Sequence, residues 1–290
     1  MNKTTIHTTL WGLVLALAVC GLAGCGAVEK AMGFRKPTAK IVGVRFRNIS
    51  LTSATFVFDV QIGNPYSVPL PLANIDYALA SEGSSFLSGK ADLQGTIPAQ
   101  SQKTVSLPLV LEYLGLLRVL RNVRPGSVVP YTAEMGLSVD APVAGPLRLP
   151  LRKEGKLPVP APPRVEIIEI RWDKLGLDEA GGRVRLQLTN QNKFAVTLSK
   201  LTYALSLGGV QVAKSSLARA VPFGADGGEG TIEIPIAFSP KNLGLAAFRM
   251  ITGKGAGYDL DGTMDAKTDF GPMSLPIKGI GKTVFRRLKG

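Results

Sequence analysis

Side chains that could carry a reaction are scarce in this chain. Histidine occurs once, at His7, and cysteine twice, at Cys20 and Cys25. Everything after Cys25 therefore lacks the histidine of a Ser-His-Asp triad, a Cys-His pair and the His or Cys ligands of a zinc site. No disulfide can close there either, so folding must rest on burial. Two arrangements remain to be weighed. Gly281-Lys282-Thr283 ends like a phosphate-binding loop, but Pro276 stands where the first glycine of that loop would be. The Gly-Lys pair recurs at Gly155-Lys156, which suggests a segment that closes each of two domains. Asp259, Asp261, Asp265 and Asp269 form an acidic cluster, yet Gly262 comes too early for an EF-hand and no glutamate closes the loop. Alternation through Tyr258-Asp259-Leu260-Asp261 puts both acids on the wet face of a strand. The expectation is a protein that is not an enzyme, with no catalytic residue, no metal and no cofactor.

The amino terminus reads as an export signal. Lys3 supplies a positive flank, Leu10 to Cys20 is apolar, and Leu22-Ala23-Gly24-Cys25 follows at once. The apolar run falls short of the roughly 20 residues that span a membrane. Residues 1–24 are thus expected to be a signal peptide. Leu22, Ala23, Gly24 and Cys25 resemble the lipobox of bacterial lipoproteins, which implies that Cys25 is acylated and that residues 25–36 tether the protein to a membrane. Two or more acyl chains hold a protein stably where one holds it marginally. Gly26 rather than Asp follows the cysteine, and in a Gram-negative source that resemblance implies the outer membrane, facing the periplasm.

The rest of the chain says one thing twice. Asn64 and Asn190 occupy the same point of two copies of one pattern, 126 positions apart (190 − 64 = 126). From Pro37 to Ala80 and from Pro163 to Ser206 the copies align without a gap, pairing Ile41 with Ile167, Phe46 with Trp172 and Tyr77 with Tyr203. The match resumes one residue out of step at Leu107-Pro108-Leu109 and Ile234-Pro235-Ile236, and then at Tyr131 and Tyr258. A repeat of this length can bury its own core, so it is a domain and not a solenoid unit. The boundaries read as 37–156 and 164–290, with a Pro-rich linker over 157–163. Proline at that density favours a stiff, extended spacer that would hold the domains apart.

Each copy reads as β structure. Val57 to Ile62 and Val184 to Leu188 alternate with period two, and 33 glycines and 20 prolines punctuate the chain. The fold class expected is all-β: two tandem sandwiches of immunoglobulin or fibronectin-III type, each with one short helix. The helices are placed at Leu111, Leu114, Leu117 and Val119-Leu120, and at Leu243, Leu245, Phe248 and Ile251, with leucines inward and Arg118, Arg121 and Arg124 outward. Gly126 and Gly253 lie near where each would stop.

The segment Asn64-Pro65-Tyr66 through Pro69-Leu70-Pro71, then Ile75-Asp76-Tyr77-Ala78-Leu79, Thr96-Ile97-Pro98-Ala99-Gln100 and Val105-Ser106-Leu107-Pro108-Leu109, resembles the WHy (water stress and hypersensitive response) domain of the LEA type 2, late embryogenesis abundant, family. The second copy departs from it, with Gln191 for the proline and Pro222-Phe223-Gly224 for the Ile-Pro-Ala turn, while keeping Asn190, Tyr203 and Pro235. The resemblance implies a role in protection against desiccation or related stress. Asn64 and Pro65 themselves form a turn opener, since proline fixes φ and the Asn side chain can satisfy nearby backbone groups. The chain carries a formal +13, of which only Lys3 lies in residues 1–24. Such a charge draws a protein to anionic surfaces. The partners expected are the membrane, through acylated Cys25, and anionic lipid, lipopolysaccharide or client proteins, with Arg286, Arg287 and Lys289 as surface contacts and no nucleic acid. Two alternatives stand beside a protective role: carriage of a lipid or anionic solute in a cleft between domains, and assembly or scaffolding within an envelope complex.

Overall fold

Period-two alternation becomes strand over nearly all of both repeats. The computed structural model describes residues 35–142, 145–176, 178–239, 241 and 256–283. The first repeat forms β1 (Thr38–Arg47), β2 (Ser53–Gly63), β3 (Leu70–Ser81), β4 (Ser84–Asp92), β5 (Thr96–Ile97), β6 (Gln102–Glu112), α1 (Tyr113–Val119), β7 (Val128–Ala141) and β8 (Gly145–Pro158). The second forms β9 (Arg164–Leu175), β10 (Ala180–Thr189), β11 (Val196–Leu207), β12 (Val210–Phe223), β13 (Glu229–Phe238), β14 (Ala256–Thr268) and β15 (Gly271–Thr283). Sheet order is β1-β2-β6 facing β4-β3-β7-β8 in the first, and β9-β10-β13 facing β12-β11-β14-β15 in the second. With β5 pairing β3 the first half is a three-on-five antiparallel sandwich and the second, among the described residues, a three-on-four one; the two share the same strand order, the tandem arrangement read from the repeat.

The cores follow from which face each residue takes. Phe56, Phe58 and Ile62 of β2 meet Ile75 and Leu79 of β3 and Leu137 of β7, all at 1% exposure or less. Burial of a side chain of that size contributes about 1.5–3 kcal/mol, so such residues dominate the stability of each sandwich. Phe56 sits among aromatic neighbours, with ring centroids 4.8 Å from Phe46, 5.8 Å from Phe58 and 5.3 Å from Tyr131. Val184, Leu186, Leu188, Leu201 and Leu205 fill the equivalent space in the second repeat. The prolines of the repeated Leu-Pro-Leu and Ile-Pro-Ile motifs lie on β6 and β13, which end their sheets, where a missing N–H costs no ladder bond. Edge strands β1 and β9 each carry a bulge at matching positions, Val42 and Ile168, which spoils the flat template that edge pairing needs.

Two expectations fail. The helix is shorter than its leucine pattern suggests: Leu111 lies in β6, and the helix buries Tyr113 and Leu116 while Leu114 points out at 62% exposure. The aromatic Tyr113 takes the inward place, its hydroxyl donating to the Pro158 carbonyl at 2.8 Å, and the leucine one step on is turned to solvent. Gly126 does not stop the helix, which ends at Val119. The second helical segment, from Leu243 to Ile251 with Gly253, lies outside the described residues.

The Pro-rich run, expected as a stiff extended spacer, is packed against both sandwiches. Leu157, Val159 and Ala161 are buried at 0%, 2% and 4% exposure, and both sandwiches bond to the run. Gly126 N–H donates to Val159 O at 2.6 Å and Val159 N–H to Ser127 O at 2.9 Å. From the other side Asn192 clasps Ala161, its Oδ1 accepting the Ala161 N–H at 2.7 Å and its Nδ2 donating to the Ala161 carbonyl at 3.1 Å. Prolines have no N–H to satisfy, so an extended proline-rich segment can be buried once its few donors and carbonyls find partners. The sandwiches also touch directly, through Lys193 N–H to Gly126 O at 2.8 Å and through a bridge of Ile49 to Met273. Phe270 of the second sandwich lies 6.1 Å from Phe46 of the first, centroid to centroid.

Gly126 holds φ at +90°, and a side chain there would collide with the Gln191 carbonyl. Gly126→Ala is expected to cost about 2 kcal/mol or more in denaturant unfolding, through backbone strain and a displaced joint. Burial raises the Tyr131 hydroxyl from 10.0 to about 12, and pushes Tyr113 higher still. A raised pKa means stability that is full below pH 10 and lost as pH rises through the folded value. Melting temperature is expected to fall from about pH 10 to about pH 12, with phenolate absorbance of Tyr131 appearing late; Tyr131→Phe flattens that slope.

Candidate functional site

The residues singled out by the family-like turn are held deep in the sandwiches. Asn64 and Asn190 are each 3% exposed. Nδ2 of Asn64 donates to Val68 O at 2.8 Å, Ile97 O at 3.0 Å and Pro98 O at 3.0 Å, and Oδ1 accepts the Tyr66 N–H at 2.9 Å. Nδ2 of Asn190 donates to Phe194 O at 2.8 Å and Gly224 O at 2.9 Å, and Oδ1 accepts the Asn192 N–H at 3.0 Å. Each partner in the second set lies 126 positions after one in the first, so the repeat holds at the level of single hydrogen bonds. One planar amide thereby ties the turn to the strand that crosses it. This is a structural task, and Pro65, half-buried, shapes the turn without touching any reactive group.

The second copy's departures have a use. Phe223 takes the buried place of Ile97, and Gly224 supplies the carbonyl that Pro98 supplies. Asn192 stands where Tyr66 stands; its Nδ2 also donates to Asn190 Oδ1 at 2.9 Å, which links the turn amide to the Ala161 clasp. The motif sits at the outer pole of the first sandwich, beside the start of β1, and at the joint in the second. Sequence reading missed Asn192 because its partner lies 31 residues away; the signal was a polar residue replacing an aromatic one in an otherwise matched turn.

Several carboxylates on the sheets are held by arginine. Arg45 donates to Asp59 at 2.9 and 2.7 Å, and this guanidinium, with the Ser106 hydroxyl, holds Asp59 below the ordinary carboxylate range. Arg148 does the same for Asp76. Asp259 and Asp261 share the wet face of β14, and their hydrogen bond raises Asp259. No group of three or more metal-ligating side chains assembles among the described residues. Gly281 and Lys282 lie in β15, paired to β14, and are not a phosphate loop. Gly155 and Gly281 are glycine because the rings of Tyr131 and Tyr258 lie across them, which explains the recurring Gly-Lys pair. Leu22, Ala23, Gly24 and Cys25, and the tail residues Arg286, Arg287 and Lys289, lie outside the described residues.

A concavity at the joint is bounded by α1, the β3–β4 turn, the start of β7 and Lys193, and has a volume of about 360 Å³. Arg121 and Lys193 line it, beside Val119, Val123 and Ser84. It is a groove on one side of the joint.

Asn64→Ala strands two or three carbonyls and an N–H in a buried turn, and is expected to cost about 2–4 kcal/mol by denaturant unfolding. Asn190→Ala is expected to cost more, because it also unseats Asn192. Asn64→Asp, isosteric but anionic against carbonyl oxygens, is expected to be worse than alanine at pH 7 and to recover as the carboxyl is protonated.

Comparison with known proteins places this geometry. The family profile for late embryogenesis abundant protein, LEA_2, matches residues 59–155 and 185–280, together more than half of the chain. The desiccation protectant protein Lea14 homolog of Glycine max is 30% identical over 132 residues, covering 46% of this chain and 87% of that protein. Late embryogenesis abundant protein Lea14-A of Gossypium hirsutum is 26% identical over 133 residues, covering 46% and 88%. Among solved structures, AT1g01470 of Arabidopsis thaliana aligns at 26% identity over 44% of this chain and 85% of its own, with a TM-score of 0.38. With both repeats matched, and the buried turn asparagine kept in each, the chain belongs to the LEA type 2 family of late embryogenesis abundant proteins.

Proposed function

We propose that this protein is a membrane-anchored, non-catalytic LEA type 2 protein that protects the cell envelope during water loss. The match of the family profile to both sandwiches carries this reading, and the desiccation-related names of the relatives give it direction. Cys25, after Leu22, Ala23 and Gly24, is acylated and holds the chain on a membrane, in a Gram-negative source the outer membrane on its periplasmic side. The physical account rests on the surface. Sheet-face arginines paired with acids, as Arg45 with Asp59 and Arg148 with Asp76, keep the sheet faces wetted. Without Lys3 the chain carries +12 (33 − 21), which draws it to anionic lipid, lipopolysaccharide or client proteins, Arg286, Arg287 and Lys289 being part of that charge. As water leaves, a folded, charged body between such surfaces keeps them from fusing or aggregating.

Two experiments test this. Mass spectrometry of the amino-terminal peptide is expected to show acyl chains on Cys25, with Cys25→Ser moving the protein to the soluble fraction; an unmodified cysteine in a membrane-bound protein would contradict the anchor. Drying a client enzyme with the protein is expected to preserve more activity than drying with an equal mass of albumin. Equal recovery with the two would remove the protective role.

A further inference from the structure

Like several strand cations, among them Arg47, Lys103 and Lys214, the cations near the joint form no ion pair among the described residues; what sets two of them apart is the groove they share. Arg45, Arg148, Arg152, Arg171, Arg183 and Arg185 each have a carboxylate within ion-pair distance. Arg118, Arg121, Arg124 and Lys193 are exposed and none forms an ion pair among the described residues. Two of them, Arg121 from the first sandwich and Lys193 from the second, line the same groove. Lys193 is placed there by the joint itself: its N–H bonds to Gly126 O at 2.8 Å, and Asn192 and Phe194 on either side of it are buried. The groove is completed only when the sandwiches meet. Its floor offers an apolar strip, with Val119 44% exposed and Val123 half-buried, and neutral hydrogen-bonding groups at Ser84 and Asn122. Glu82 is the single acid in the lining, and among the described residues it forms no ion pair.

We propose that this groove binds a phosphate-bearing ligand with a short apolar part, the phosphate held by Arg121 and Lys193 and the apolar part lying against Val119 and Val123. The chemistry fits: a guanidinium and an ammonium from two elements supply charge and several donors to one multivalent anion. A volume of about 360 Å³ is enough for a glycerophosphate head with the first carbons of a chain, and too small for a whole diacyl lipid. The same chemistry comes from two sources, a lipid headgroup or a soluble phosphate ester. The proposal goes beyond a protective role and does not depend on acylation of Cys25.

The test uses the chain from residue 26, which holds all of the described fold, 35–283. Amide NMR spectra are followed while inorganic phosphate, and separately dihexanoyl phosphatidylglycerol below its micelle concentration, are added. Saturable shifts at Val119 to Val123 and Lys193 are expected with at least one probe. Arg121→Gln with Lys193→Gln is expected to weaken binding roughly tenfold or more, whereas Lys193→Arg retains it. Lys103→Gln with Lys214→Gln, an equal charge change on exposed strand positions, is expected to change it less than twofold. Shifts with inorganic phosphate assign the recognition to the phosphate group alone; shifts with the lipid only assign it to headgroup and chain together. If neither probe moves these amides, or if the strand-position variant loses as much affinity as the groove variant, the proposal is overturned. The single groove variants, with spectra unchanged elsewhere, carry the comparison should the double variant not fold.

Discussion

A buried side-chain amide holds the turn of each sandwich, and the rest of the structure is arranged around it. Asn64 and Asn190 are among the few polar residues in otherwise apolar interiors, and each is tolerated there because its donors and its acceptor all meet backbone partners. That satisfaction fixes where the chain turns after β2 and β10, and therefore which face β3 and β11 present to the core. A one-residue slip would send every inward side chain outward. The amide thus does what a register pin must do in a fold with no disulfide: it makes the correct pairing the only one in which a buried polar group is fed.

The same device was put to a second use in the second copy. At the outer pole of the first sandwich the turn is closed by Tyr66, which packs on its own core. In the second, Asn192 at that position turns away to clasp Ala161, and the amide of Asn190 holds Asn192 in place. A turn that serves one sandwich has become the socket into which the other is plugged. The hydrophobic cluster then runs without a break through both sandwiches. For a protein proposed to stand on a membrane and keep surfaces apart, this matters, because two sandwiches joined stiffly define a distance and two on a flexible string do not.

How much of this was legible from the residues follows from how local each cause is. Strands were readable because alternation is local, and the repeat because its 126-residue spacing carries the same hydrogen bonds in both halves. The edge positions of β6 and β13 were implicit in Pro108 and Pro235. The inward face of α1 was not readable: three leucines suggested one face, but the helix starts at Tyr113, whose bond to Pro158 O sets the rotation and leaves Leu114 outside. The joint was hidden for a different reason. A proline-rich run is extended whether water or protein surrounds it, and what holds Val159 and Ala161 in the joint is partners at Gly126 and Asn192 that no short window contains. Arg121 and Lys193 come together only through that joint, so the groove they line had no sequence signature of its own.

The central claim is that the two repeats behave as one body. The most direct measurement is amide nitrogen-15 relaxation, with residual dipolar couplings, on the described chain in solution. The account predicts one rotational correlation time and one alignment tensor for the strands of both sandwiches. Separate correlation times, or tensors that differ between the two halves, would contradict it and make residues 157–163 a linker between independent domains.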